Sequence, residues 1–286
     1  MGLSLVSTVE IAPGVHMPRL GFGTYKSPSG EVAERAVAAA LELGYRGVDT
    51  ASLYGNEASV GKAVRESGLP RAEVFVASKL WNDEQGGAPT RVALERSLER
   101  MGLDTLDLYL VHWPLPDLMG STWRALEDAQ REGLVRAIGV CNFLQHHLQA
   151  LTNLAEIKPA VNQVEHHPWL GRASLREWCA AHGVTMQAWA PVIRGRAGEI
   201  PELVEIGRRH GKSPSQVSIR WILQHGVATI PKSVHAERIA ENAEVFDFEL
   251  TAEEMAAIDS VDRNYRLGPD PDVFGPSGAW KDLPRP

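Results

Sequence analysis

The chain has 286 residues, 44% of them hydrophobic and 23% charged, with a formal net charge of -7. That length and balance suit one large globular α/β domain with a sizeable core, and the acidic excess argues against a nucleic-acid-binding surface. Residues 1–14 hold no basic run followed by an apolar stretch, and no run of about 18 apolar residues occurs anywhere, so neither a signal peptide nor a membrane span is expected. The cysteines, Cys141 and Cys179, cannot build a disulfide framework and are expected as buried free thiols in a cytoplasmic protein.

In chain order, residues 6–17 carry Pro13-Gly14 between two short apolar runs and predict a hairpin covering one end of the fold. A first strand is expected at 19–23. Apolar residues at helical spacing follow (Val32, Ala36, Ala39, Ala40, Leu43), closed by Gly44. Strands at 46–49 and 74–79 lead to a second such run, Ala93, Leu94, Ser97, Leu98 and Met101, closed by Gly102. Further strands are expected at 106–112, 137–141, 160–164, 185–189 and 228–230. Residues 250–261 predict one extra helix, with Thr251 as N-cap and Glu254 completing a capping box. Residues 264–286 are rich in Pro and Gly and predict an irregular tail.

Strand–helix alternation implies a parallel sheet, because parallel strands need crossover connections. Eight such units favour a (β/α)8 TIM barrel plugged at its N-terminal end by the hairpin. A dinucleotide fold of the other common type is disfavoured: Gly21 and Gly23 make a GxG, but Lys26 stands where GxGxxG needs its third glycine. Residues 1–286 read as a single domain, with 263–286 as a tail over the barrel mouth.

Barrel enzymes collect their chemistry at the C-terminal strand ends. Here those ends carry Asp49, Lys79, His112, Cys141-Asn142, Gln163, Trp189 and Lys232, and Tyr54 follows Asp49 across a short loop. Asp49 alone reads equally well as a helix cap, Tyr54 as a turn residue, Lys79 as a solvated charge and His112 as a buried ring. At successive strand ends they make a catalytic group. A phenol with an ordinary pKa of about 10 is a reluctant acid, and an ammonium held by a carboxylate is expected to lower that value. Tyr54 then donates a proton to an oxygen becoming an alkoxide, His112 orients that oxygen, and a hydride donor completes carbonyl reduction.

The sequence resembles the aldo-keto reductases over nearly its whole length. The matching stretches are LGFGTY at 20–25, GVDTASLYGNE at 47–57, SKLWN at 78–82, DLYLVHWP at 107–114, IGVCNF at 138–143, VNQVEHHP at 161–168 and IPKSV at 230–234. VFDFEL at 245–250 is similar to bacterial members that include 2,5-diketo-gluconate reductase. The resemblance implies Tyr54 as general acid within a tetrad with Asp49, Lys79 and His112, and a nicotinamide in the barrel mouth. It places Gly23, Thr24, Asp49, Cys141, Asn142 and Gln163 around the cofactor, with Trp189 stacked on its ring. Lys232, Ser233, Val234, His235 and Arg238, with Glu241 and Asn242 further along, are implied to take the 2′-phosphate of NADPH; paired cations at a helix N-terminus suit that anion.

Some positions depart from the pattern. Cys141 stands where most relatives have serine, and a thiol is a weaker hydrogen-bond partner. The segment after Trp189 reads Ala190-Pro191-Val192-Ile193-Arg194 and predicts a shortened loop that releases cofactor readily. The connection 114–120 is also short, so an open, shallow pocket is expected, walled by Tyr25, Trp81, Trp113 and the tail around Trp280. Small-molecule carbonyls are the expected partners of a monomer with no metal, no nucleic acid and no membrane. A metal hydrolase built on Asp49, His112, His166 and His167 is the rival enzyme reading, and a cofactor-sensing binding subunit the non-catalytic one.

Overall fold

The computed structural model describes residues 2–278. A hairpin opens the chain, β1 (Thr8–Ala12) paired antiparallel with β2 (Val15–Pro18). Its Ile11, Val15 and Met17 cluster with Phe75 and Ala160, at the beginnings of two later strands, so the hairpin closes the N-terminal end as expected.

Eight parallel strands follow: β3 (Phe22–Gly23), β4 (Gly47–Asp49), β5 (Phe75–Leu80), β6 (Leu106–Val111), β7 (Val135–Cys141), β8 (Val161–Glu165), β9 (Thr185–Trp189) and β10 (Ala228–Thr229). They pair in chain order, and the backbone joins the two edges. Gly21 N donates to Thr229 O at 2.8 Å and Thr229 N to Arg19 O at 2.8 Å, with Leu20 bridged to Thr229. The first strand is shorter than 19–23 because residues 19–21 meet β10 through a single bridge at the closing seam, while Arg19 N donates to Ser7 O at 2.9 Å. With helices outside and every residue of β4 to β8 except one buried, the sheet is the inner layer of a (β/α)8 fold.

The helices are α1 (Glu31–Glu42), α2 (Glu57–Glu66), α3 (Gly87–Met101), α4 (Pro116–Arg131), α5 (Gln145–Leu154), α6 (Ala173–Ala181), α7 (Pro201–His210), α8 (Pro214–Gln224), α9 (Ala236–Ala243), α10 (Ala252–Asp259) and α11 (Pro271–Ser277). In α3 the buried stripe is the predicted one, and Gly102 ends it at φ 61, a left-handed turn that glycine adopts without strain. In α1 the buried face is Ala33, Ala36, Val37, Ala40 and Leu41, while Val32 and Leu43 are exposed. The expected capping box holds α10: Glu254 N donates to Thr251 Oγ1 at 3.2 Å and Thr251 N to Glu254 Oε2 at 3.0 Å.

Three elements differ from expectation. The connection from β9 to β10 holds two helices, α7 and α8. The connection after β6 is shorter than 114–120, because Pro116, well suited to a first helical turn, already opens α4. The tail is not wholly irregular: Asp270 accepts from Asp272 N at 3.1 Å and caps α11. Among the described residues no helix is long and apolar enough to cross a membrane.

Candidate active site

β4, β5 and β6 deliver Asp49, Lys79 and His112 to one side of the mouth. Asp49 ends its strand, Lys79 is one residue short of its strand's end, and His112 follows directly on Val111. A single 3₁₀ turn, Ser52–Tyr54, stopped by Gly55 at φ 66, brings Tyr54 back over them.

Lys79, with no exposed surface, donates to Asp49 Oδ1 at 2.5 Å, to Thr50 O at 2.8 Å and to Tyr54 Oη at 3.3 Å. All its ammonium protons therefore have partners, which a buried charge requires. Gln163 Nε2 donates to the other carboxylate oxygen, Asp49 Oδ2, at 2.7 Å. The His112 ring stands edge-on to Tyr54, centroids 5.8 Å apart, and to Trp81 at 5.0 Å.

Burial, then the Asp49 carboxylate, push the Tyr54 phenol well above its ordinary value. The expected lowering by Lys79 is thereby corrected: lost hydration and the carboxylate that binds the lysine outweigh the ammonium. Tyr54 is a hydroxyl at neutral pH. Burial, then Lys79, push His112 well below the usual imidazole value, so its ring is neutral. Its Nδ1 is buried without a hydrogen-bond partner among the described residues.

The next strand ends carry amides and an indole. Asn142, at φ 64, donates from Nδ2 to His112 O at 3.0 Å and accepts at Oδ1 from Trp189 Nε1 at 2.9 Å. Gln163 Nε2 also donates to Gln187 Oε1 at 2.8 Å, while Cys141 Sγ lies 3.7 Å from Gln163 Oε1. Burial pushes the Cys141 thiol far up, so it is neutral. Glu165 accepts from Leu267 N at 2.5 Å and Gly268 N at 3.0 Å, pinning that segment against Trp189. A Cβ on Gly268 would stand 2.7 Å from the indole.

Gly23 crosses close to the last strand: a Cβ there would lie 2.8 Å from Ile230 O. Thr24 Oγ1 donates to Asp49 O at 2.9 Å. Lys232 is half-buried and donates to Lys26 O at 3.3 Å, and its pKa is lowered by burial and by Lys26. His235 precedes α9 without a side-chain bond to it, its N donating to Ser233 Oγ at 3.1 Å, and Arg238 is exposed on the first turn. Val234 is half-buried and Asn242 buried. Glu241 accepts from the Ser213 hydroxyl, which ties it to the start of α8.

Tyr25 is exposed, 5.0 Å from Tyr54, but Trp81 and Trp113 are buried, with the Phe274 ring 6.4 Å and 4.5 Å from theirs. The open, shallow pocket is thus corrected, because α11 folds Phe274 over both indoles. Trp280 lies outside the described residues. His166 stacks on Trp221 at 4.9 Å, its Nδ1 3.2 Å from Leu170 O, and His167 Nε2 is 2.9 Å from Glu165 Oε1. These histidines serve the packing of the loop after β8. Sequence reading missed Gln187, Lys26, Gly268 and Phe274. Only Lys26 carried a signal, as a cation beside the GxG turn.

A model of the aldo/keto reductase family matches residues 19–263. The chain belongs to the aldo/keto reductase family. It is an oxidoreductase of that family, whose members use nicotinamide cofactors. It is 50% identical over 272 residues to the glyoxal reductase of Bacillus subtilis, covering 95% of this chain and 99% of that one. To the methylglyoxal reductase DkgA of Salmonella typhimurium it is 44% identical over 271 residues, 93% and 98% of the two chains. The crystal structure of an aldo-keto reductase from a Medee basin deep-sea metagenome library matches with a TM-score of 0.90 at 41% identity, over 93% of this chain and 98% of the other. The (β/α)8 assignment and the resemblance read from the motifs both stand.

Proposed function

We propose that this aldo/keto reductase reduces small aldehydes and ketones, glyoxal-type dicarbonyls foremost and keto-sugars among the rest, with NADPH as hydride source and Tyr54 as proton donor. The observation that carries the reading is the Tyr54 hydroxyl 3.3 Å from a lysine that is itself locked to Asp49. Relatives bearing the names glyoxal reductase and methylglyoxal reductase support the substrate class.

The residues present fit the cofactor. Two amides and a flat indole on neighbouring strand ends match a planar ring bearing a carboxamide. Lys232, Lys26 and Arg238 gather positive charge beside the start of α9, which suits a phosphate. A bound dihydronicotinamide supplies the hydride to the carbonyl carbon. Tyr54 gives its proton to the carbonyl oxygen as the C–O double bond opens. Lys79 steadies the resulting phenolate, and Asp49 holds Lys79 in place. Neutral His112 offers a ring N–H to the same oxygen and fixes its direction. Trp81, Trp113 and Phe274 form the apolar wall, and the chain works as a monomer.

NADPH oxidation with glyoxal, methylglyoxal and a panel of larger carbonyls, run beside NADH, tests this. Turnover that favours NADPH is expected, with the preference falling in Arg238→Ala. Tight NADPH binding without turnover on any carbonyl would instead favour a cofactor-sensing role.

A further inference from the structure

Away from the tetrad, α5 and α11 meet at His146, His147 and Asp272, which bring one ligand atom each within 4.8 Å of one another. His146 Nε2 stands 2.9 Å and His147 Nε2 3.3 Å from Asp272 Oδ1, and the two rings lie 4.0 Å apart. Zinc held by imidazole nitrogen and carboxylate oxygen at about 2.0–2.2 Å spaces tetrahedral ligands by roughly 3.3–3.5 Å. The observed separations need only small side-chain movements to meet that. The His147 side chain is 8% exposed, whereas those of His146 and Asp272 are 62% and 50% exposed. One ligand is therefore fixed by packing, and the open side leaves a path for an ion and room for water as a fourth ligand.

We propose that His146, His147 and Asp272 form a binding site for one zinc-class divalent ion, which staples α11 to α5. Two imidazoles and one carboxylate select Zn²⁺, Ni²⁺ or Cu²⁺ over Mg²⁺ and Ca²⁺, which prefer all-oxygen shells. His147 Nδ1 accepts from Leu144 N at 3.2 Å. Coordination through Nε2 moves the ring proton to Nδ1 and gives up that long bond, so only ions with a strong hold on imidazole take the site. Phe274 follows Asp272 closely on α11 and covers Trp81 and Trp113. The ion thus fixes the wall of the pocket without touching Tyr54 or Lys79. The effect on the wall matters for turnover only if the carbonyl reading holds; binding itself does not depend on it.

The test is calorimetric titration of untagged, chelator-stripped protein with Zn²⁺ in excess Mg²⁺, paired with amide hydrogen exchange across residues 271–278. One ion is expected to bind and to slow exchange in α11, with affinity falling by at least about tenfold in His146→Ala. Asp272→Asn is expected to lose affinity likewise, while Asp270 keeps the helix capped. Circular dichroism checks that both variants are folded. Equal zinc binding by wild type and His146→Ala, no binding at all, or unchanged exchange in α11 at saturating zinc would overturn the site.

Discussion

Lys79 and Asp49 sit together with almost no exposed surface, and each is tolerable only because the other is there. Removing one partner of such a pair leaves a buried charge uncompensated, at a cost of about 3–5 kcal/mol. The neutral state of His112 has a kinetic consequence. Its pKa is depressed, so the ring stays uncharged as pH falls through about 6.5, the ordinary imidazole value. Tyr54, with its pKa raised, keeps its proton past about 10. The pH profile of kcat/KM for reduction is therefore expected to be flat through the neutral range; an acid limb centred near 6.5 would contradict the neutral His112. Gly268 supplies a second case. A methyl group there meets the Trp189 indole at 2.7 Å, so Gly268→Ala is expected to weaken nicotinamide binding, read as a raised KM for cofactor. Unchanged KM would show that the indole's position is immaterial. That Asp49, Lys79 and His112 lie together was legible in the sequence because each sits at or beside a strand end, which periodicity locates, and Tyr54 follows Asp49 across one short turn. Gly268 and Gln187 were not, since the need for them arises only when distant segments are brought into contact.

Among the elements, α2 and α3 pack closely at Gly61. A Cβ on Gly61 would fall 2.1 Å from Met101 O and 2.4 Å from Met101 Cα, both backbone, so the neighbour cannot rotate aside. Overpacking of this kind costs about 1–3 kcal/mol or more, and Gly61→Ala is expected to lower the melting temperature of the folded chain by several degrees. An unchanged transition in thermal denaturation would mean the helices separate freely. Long periodic helices such as α3 were readable to the residue at the C-terminus, because Gly102 marks the stop. The start of α1 was read one position off its buried face: Val32 is exposed and Ala33 buried, which small side chains do not distinguish by periodicity. α11 escaped notice because Gly275 and Pro276 break any apolar pattern, and only the Asp270 cap and Pro271 signal its start.

For the whole molecule, closure of the barrel makes neighbours of residues far apart in sequence. The seam between Leu20 and Thr229 sets Gly23 against Ile230 and Lys26 beside Lys232, so the GxG turn and the IPKS segment become one basic rim. The fold class was legible from strand–helix alternation, and the family motifs fixed its identity. The covered pocket was not, because whether a Pro- and Gly-rich tail lies open or folds back depends on contacts such as Phe274 on Trp113. The loop after Trp189 belongs to the same scale. Arg196 stacks its guanidinium over Trp169 at 4.8 Å and donates to Tyr265 Oη at 3.2 Å, so the segment between β9 and α7 is tied down at its middle.

The central claim is that Tyr54 delivers the proton in an NADPH-driven reduction. Its most direct test compares wild type and Tyr54→Phe for methylglyoxal turnover and, separately, for NADPH affinity by fluorescence titration. Loss of about 10²–10⁴ in kcat with NADPH affinity retained is the predicted result. Equal turnover in the two proteins would remove Tyr54 as the proton donor and with it the proposed mechanism.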